Sequence, residues 1–362
     1  MTNSRSHQWS GRRLVGFPAI VSVGMLIAQP VFLPQFQQAT SAEVSARGTD
    51  LKTQKAIERG LTWLVGALRR DGTIGADESL RPDLSCTAMV GLALLAEGST
   101  PTGGRYARES EQVLYGVLEL VRARRLTGTS NVTLVQTKIG RQADLFFATL
   151  YLSAVYGEAP GAEKPIREAL DVLVNHISQT QQKDGTWGSE SWAPILGTVM
   201  GWTSLRAASA AGIPVRASAE ESGKALLKTL RERSQEEASW MHKFYKEASS
   251  LRVLYSLGHR DDPVFQESVE KLLKTVQHDP RPFRMAGGEE YLSFYLVTEC
   301  LLKEPDSRWA EWSPNVQKQL IAVQNQNGSW TGHHCITDRT FCTAAALLTL
   351  LAPNRNLTTS DL

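Results

Sequence analysis

Two kinds of segment alternate along residues 51–351. One kind is apolar almost throughout: Leu84–Ala96, Ala143–Tyr156, Leu196–Ala210, Ala248–Leu257, Tyr291–Leu302 and Thr340–Leu351. The other carries an apolar stripe on a charged background: Leu51–Leu68, Arg105–Leu126, Glu163–Gln181, Glu220–Glu237, Asp262–Val276 and Trp309–Val323. A helix apolar on every side must be buried on every side, whereas a single stripe places a helix on the outside. No strand-like alternation of useful length interrupts the series. The six pairs recur every 42–58 residues, the mark of repeats that each bury a neighbour's face. The pattern predicts an all-α chain, an (α/α)6 toroid with six inner helices sheathed by six outer ones. An open superhelical solenoid is the structural alternative. The last segment is as apolar as the interior ones, which suits a closed ring because a ring needs no polar capping repeat.

The connectors repeat as well. Gln181-Gln182-Lys183-Asp184-Gly185-Thr186-Trp187 closes the third outer segment and Gln324-Asn325-Gln326-Asn327-Gly328-Ser329-Trp330 closes the sixth, while Asp71-Gly72-Thr73-Ile74-Gly75 follows the first. Asp-Gly and Asn-Gly tolerate positive φ, so the chain can reverse straight after a helix. The glutamine four residues before the glycine is placed to reach exposed helix-end carbonyls and to lie against the tryptophan. Gln-x-x-x-Gly-x-Trp at 181–187 and 324–330 resembles the repeat motif of squalene cyclases and other terpene cyclases. The first unit supplies that motif's other half, Arg59-Gly60-x-x-Trp63-Leu64, but has Leu68 and Ile74 where glutamine and tryptophan belong. The resemblance to the prenyltransferase and squalene cyclase-like superfamily implies a toroid and an apolar, isoprenoid-like ligand in its central cavity.

The activity sets of that superfamily do not transfer. An Asp-x-Asp-Asp run, an Asp-Asp-x-x-Asp run and a Gly-Cys-Gly-Glu-Gln run are all missing. Zinc-dependent prenyltransferases resemble this chain in the last two units, yet here the fifth inner segment opens Glu289-Glu290-Tyr291, with tyrosine at the thiolate position. Phe341-Cys342 stand where a histidine would be expected.

Geometry then supplies the candidates. In such a ring every turn of this class leads into an inner helix at the same end, so residues opening the inner helices gather around one mouth. They are Arg81 and Asp83, Arg141 and Asp144, Trp192, His242 and Glu247, Glu289 and Glu290, and His333, His334, Cys335, Asp338 and Arg339. Asp83, Asp144 and Asp338 also have a plain explanation as helix caps. His334 with Asp338 or Glu290 is the candidate acid–base pair. Arg141, Glu289, Trp192 and Tyr295 join Asp83 and Asp144 as candidate ligand contacts. His333 and Cys335 are candidate ligands for a divalent metal such as zinc, with Glu289 or Glu290 as a donor from the neighbouring unit. Phe146, Phe147, Tyr151, Phe294 and Tyr295 either line a cavity or pack a core.

Charge narrows the partners. The chain of 362 residues has a net charge of +2. All the excess lies in Arg5, Arg12 and Arg13, before residue 43, and the remainder balances 36 basic against 37 acidic residues. A near-neutral body carries no footprint for nucleic acid. Arg12-Arg13, the apolar run Leu14–Ile27 and the small residues Ala39-Thr40-Ser41-Ala42 read as a secretory signal over residues 1–42. That run is too short to span a bilayer, so the expectation is an exported protein, periplasmic or extracellular, with residues 43–362 as one toroid domain and no stable membrane span after cleavage. Export permits disulfides among Cys86, Cys300, Cys335 and Cys342, and a Cys86–Cys342 bridge would seal the first unit to the sixth. The residues leave open whether the protein is an enzyme. An open apolar cavity favours an isoprenoid-like ligand or lipid, a wide cleft with paired carboxylates a carbohydrate-active enzyme, and a filled centre a non-catalytic interaction module.

Overall fold

A computed structural model describes residues 50–76, 81–127, 132–215, 240–302 and 306–354, with Gly223 and Lys228 besides. The segment read as a signal, the linker after it and most of the fourth outer segment lie outside these residues. The described helices are α1 (Leu51–Ala67), α2 (Leu84–Glu97), α3 (Ala107–Thr127), α4 (Leu134–Ile139), α5 (Ala143–Val155), α6 (Glu163–Gln179), α7 (Pro194–Ala210), α8 (Trp240–Ser256), α9 (Pro263–His278), α10 (Arg281–Arg284), α11 (Gly288–Leu301), α12 (Asp306–Ala322) and α13 (Arg339–Leu351).

The division into two kinds of helix holds at the level of side chains. Every residue of α5 and of α11 is buried, whereas α6 buries only Ile166, Leu170, Leu173, Val174 and Ile177, one stripe at helical spacing. The inner helices pack in the cyclic order α2, α5, α7, α8, α11, α13 and back to α2. Each described outer helix lies against the inner helix before it: α3 on α2, α6 on α5, α9 on α8, α12 on α11, and α1 on α13. The last of these contacts joins the first unit to the sixth, so the toroid closes and the solenoid alternative falls.

Three turns deliver the chain from outer to inner helices in the same way. Trp187 and Trp330 each donate an indole hydrogen bond to the last turn of the preceding outer helix, to Ile177 O at 2.9 Å and Leu320 O at 2.8 Å. Each peptide N–H at that position donates to a threonine hydroxyl on the following inner helix, Trp187 to Thr198 at 3.2 Å and Trp330 to Thr343 at 2.9 Å. Ile74 makes the same bond to Thr87 at 3.2 Å, so the first unit keeps the turn without the tryptophan. Gly72, Gly185 and Gly328 sit at φ 75°, 83° and 94°, the left-handed conformation that glycine reaches without cost. Gln181 and Gln324 donate to the glycine carbonyl of their own turn, at 2.9 and 2.8 Å, and Gln324 also reaches Ala56 O of α1 at 2.9 Å.

The centre is filled. Met89, Leu92, Phe147, Leu150, Met200, Thr203, Leu292, Tyr295, Leu296 and Leu348 converge on the ring axis and leave a void of about 10 Å³, the smallest that could hold one water. The expectation of a deep open cavity is therefore not met among the described residues. Large side chains from five of the inner helices interdigitate across the axis, as in an ordinary protein core. Two short helices, α4 and α10, were not apparent in the pattern, and α8 begins eight residues before the apolar segment read from its sequence. No helix among the described residues is long and apolar enough to cross a membrane.

Candidate functional site

The N-terminus of α11 and the loop that precedes α13 build a polar cluster at the end of the ring where inner helices begin. Gly288 N–H donates to Ile336 O at 2.8 Å and His333 N–H to Ala286 O at 2.7 Å. These two bonds lay residues 333–336 across the start of α11. Glycine is required at 287 and 288, where an added Cβ would collide with His334 O and with Ile336. The close approach presses His334 against two consecutive buried carboxylates. Its Nδ1 lies 3.3 Å from Glu289 Oε1 and its Nε2 lies 3.2 Å from Glu290 Oε2. Both contacts are charged pairs at hydrogen-bonding distance, and Glu290 Oε1 has no hydrogen-bond partner.

A second cation enters from α4. Lys138 Nζ lies 3.0 Å from Glu289 Oε1, with side chains 1% and 0% exposed, donates to Cys335 Sγ at 3.3 Å and stands 5.0 Å from the centroid of the Tyr245 ring. A capping box of Thr133 and Gln136 starts α4, which brings Val135, Lys138 and Ile139 to one buried face.

Charge states follow from these neighbours. The two glutamates together raise His334 to about 11, so its ring is an imidazolium at neutral pH. Burial pushes Glu289 upward, but His334 and Lys138 hold its carboxyl below the usual range. Burial also dominates at Glu290, where the charge of Glu289 adds to it and His334 opposes it, leaving Glu290 raised to about 7. Burial works against the charge of Lys138, yet Glu289 more than compensates and its ammonium is held above its ordinary value. One fixed carboxylate, one carboxyl poised near neutrality and two cations thus share a site that reaches solvent through the edge of His334, 18% exposed, and through half-buried Cys335.

Several expected residues serve elsewhere. Asp338 caps α13, accepting from Phe341 N–H at 2.6 Å, and takes the thiol of Cys86 at 3.4 Å across the seam of the ring; the carboxylates beside His334 are Glu289 and Glu290 instead. Asp83 caps α2 through Cys86 N–H at 2.7 Å, and burial pushes its carboxyl up. Asp144 pairs with Arg124 at 2.9 Å and is likewise raised by burial. His333 is exposed and stands outside the metal-competent group. Arg141 is exposed, its peptide N–H 3.4 Å from Glu190, and Trp192 is 56% exposed. Tyr295 lies on the axis rather than the rim, donating to Glu299 at 2.7 Å beside the buried Arg252–Glu299 pair at 3.1 Å. The His242 side chain lies outside the described residues, and Glu247 binds Ser268 and Lys271 of α9 at 2.7 and 3.3 Å. Cys86 and Cys342 are buried free thiols, not a disulfide.

Glu289, His334 and Cys335 place one ligand atom each within 4.8 Å of one another, a donor set of the kind zinc takes. The set does not fit a cation as it stands. Lys138 Nζ already occupies the side of Glu289 and Cys335 that an ion would need, and His334 holds its proton between two carboxylates, whereas a ligating imidazole must be neutral. Lys138 and Tyr245 were missed in the sequence. The signal for Lys138 was present, since Val135, Lys138 and Ile139 follow the i, i+3, i+4 spacing that puts a lysine on an apolar stripe.

Comparison with known proteins agrees with the fold. No protein-family model matches the chain, and a search of curated proteins finds no match. Among solved structures it is similar to the GH76A alpha-1,6-mannanase of Salegentibacter sp. HEL1_6, with a TM-score of 0.53 and 11% identity over 84% of this chain and 100% of that one. An inactive variant of that mannanase in complex with alpha-1,6-mannotriose gives 0.53 and 10% over the same shares. A variant of the type II terpene cyclase MstE from Scytonema gives 0.51 and 16% over 88% of this chain and 100% of that one. At these identities the likeness is one of architecture: the protein is an α/α toroid.

Proposed function

We propose that the protein carries a metal-independent acid–base centre at the rim of its toroid and acts there on a small polar substrate. The observation that carries this reading is the His334 ring held between Glu289 and Glu290, 3.3 and 3.2 Å from its two nitrogens. General acid–base work needs proton carriers whose affinities bracket the working pH. Glu290, raised to about 7, can take or give a proton at neutrality, while His334 supplies a persistent positive charge for a developing anion. Crowded ionisable groups with opposed shifts are typical of such sites. The isoprenoid-like ligand implied by the sequence resemblance is disfavoured by the filled axis, since it would have to displace Phe147, Met200 and Tyr295. A filled centre by itself suits a non-catalytic interaction module, and the ionisable cluster at the rim is what favours chemistry over that reading. Glu289 and Glu290 are 0% and 1% exposed, so a polysaccharide could not touch both carboxylates without opening the rim.

The test uses protein with ring-labelled histidine, titrated with alpha-1,6-mannotriose, p-nitrophenyl acetate or geranylgeraniol as saccharide, ester and isoprenoid probes. The expected result is a shift of the His334 resonances with a polar probe that Glu290→Gln weakens about tenfold or more, with little change in melting. A response to geranylgeraniol alone, unaltered in Glu290→Gln, would move the ligand to the axis and end this reading. We also propose export, supported by the basic, apolar and small-residue order of residues 1–42. N-terminal sequencing of protein from the exported fraction should begin near Glu43; retention of residues 1–42 would replace cleavage by an anchored form.

A further inference from the structure

Cys335 is the part of this cluster that acid–base chemistry leaves unused. We infer that Cys335 is a nucleophile, and that the rim takes an acyl substrate, an ester or thioester, through a covalent acyl-enzyme; this rests on the acid–base reading above and extends it. Three observations converge on the sulfur. Lys138 Nζ donates to Sγ at 3.3 Å, so the sulfur accepts from a charged donor that would stabilise negative charge developing on it. His334 and Glu289 each bring a ligand atom within 4.8 Å of Sγ and of each other, which is the order nucleophile, proton carrier and orienting carboxylate. Glu290, 1% exposed, touches His334 at 3.2 Å and leaves Oε1 without a hydrogen bond, a buried polar atom that an incoming group can satisfy.

The remaining cysteines sharpen the contrast. Cys86, Cys300 and Cys342 are each 0% exposed, and Cys86 and Cys342 donate their thiol protons, to Asp338 and to Ile336 O. Cys335 is the only one of the four that is half-buried; Cys300 also meets a cation, Arg252, but is sealed from solvent. Its backbone stands at φ 48°, and no other non-glycine residue among the described ones has positive φ. That conformation is strained for a residue that carries a β-carbon, and the sulfur it presents lies 3.3 Å from Lys138 Nζ.

The steps balance with water as the only co-reactant. The thiol proton passes through His334 to the Glu290 carboxylate as Sγ adds to the ester carbonyl carbon and the carbonyl electron pair moves to oxygen. The pair returns, the bond to the alcohol oxygen breaks, and the alcohol leaves with that proton, passed back from Glu290 through His334. Water then gives a proton to Glu290 by the same route and adds to the thioester carbon. The S–C bond breaks, the carboxylic acid is released, and Glu290 returns the proton to the sulfur, so that His334 begins and ends the cycle as an imidazolium. Glu289 and Glu290 stabilise the imidazolium at both ends of this cycle, and Glu289 keeps Lys138 on the sulfur.

The experiment is stopped-flow and intact-mass analysis of the full chain with p-nitrophenyl acetate. The expected result is a burst of one nitrophenolate per chain, with a single acetyl group mapped to Cys335, formed at least about tenfold faster than on glutathione. Cys335→Ser should abolish burst and adduct. His334→Gln should form the adduct and release it more than about tenfold more slowly. Acetylation of Cys335 no faster than of glutathione, or an adduct confined to lysines, overturns the nucleophile. The two readings separate cleanly. A polar probe that shifts His334 without any adduct sinks this inference and leaves the acid–base centre, whereas a fast Cys335 adduct hydrolysed equally well by Glu290→Gln keeps the nucleophile and removes Glu290 from the chemistry. Because a serine could disturb the strained turn, Cys335→Ala is run beside it; a burst surviving in both variants counts against the proposal.

Discussion

Lys138→Met should lower the unfolding free energy by about 3–5 kcal/mol, the usual consequence of removing one partner from a buried ion pair. The substitution keeps the length and most of the volume of the side chain, so packing changes little. What it removes is the charge 3.0 Å from Glu289 Oε1, at a place where both side chains are essentially inaccessible to water. Glu289 is then left with His334 as its cationic neighbour, and Cys335 Sγ loses its donor. Lys138→Met with Glu289→Gln should recover more than half of the loss, because a neutral amide is far cheaper to bury than an unpaired carboxylate. Urea denaturation of the two single variants and the double variant measures the coupling directly. A cost for Lys138→Met below about 1 kcal/mol would mean the pair is solvated in solution, and the cluster would lose its claim to be a dry site.

Trp330→Ala should cost a similar amount, about 3–5 kcal/mol, and should do so in a place the sequence position does not suggest. The indole is fully buried and bonded to Leu320 O of α12 at 2.8 Å. Its ring edge would meet a β-carbon at Gly60 of α1 at 2.8 Å, so the tryptophan of the last unit is wedged against the first helix. Trp187 makes the corresponding indole bond to Ile177 O at 2.9 Å and rests near Gly201 on the next helix, α7. Hydrogen exchange tells the two apart. Trp330→Ala should raise exchange along α1, which no other tryptophan change of this class should do, while Trp187→Ala should raise it along α6 and α7 with α1 unaffected. Unaltered protection of α1 in Trp330→Ala would show that ring closure does not depend on this wedge.

The sequence by itself determined the repeat of inner and outer helices, since burial of a helix on all sides leaves a compositional trace that needs no coordinates. Leu145, Phe146 and Phe147 in succession cannot all be satisfied on the surface of an amphipathic helix, but ring rather than open solenoid was decided by the contacts of α13 with α2 and of α1 with α13. The reversal after three of the outer helices was equally legible, because Gly72, Gly185 and Gly328 are needed for positive φ. The same local reasoning placed His334, Cys335, Glu289 and Glu290 at one end of the ring. It could not choose between Asp338 and Glu290 as the partner of His334; Asp338 caps its own helix and Glu290 lies beside the ring. Only the tertiary structure decided that the axis is filled, because whether Phe147, Met200 and Tyr295 line a cavity or close it depends on the ring's radius, a sum of many interhelical distances. Only the tertiary structure brought Lys138, which lies 197 residues from Cys335, onto the sulfur. A contact of that range is set by where α4 and the loop before α13 meet, and nothing in the spacing of either segment carries it.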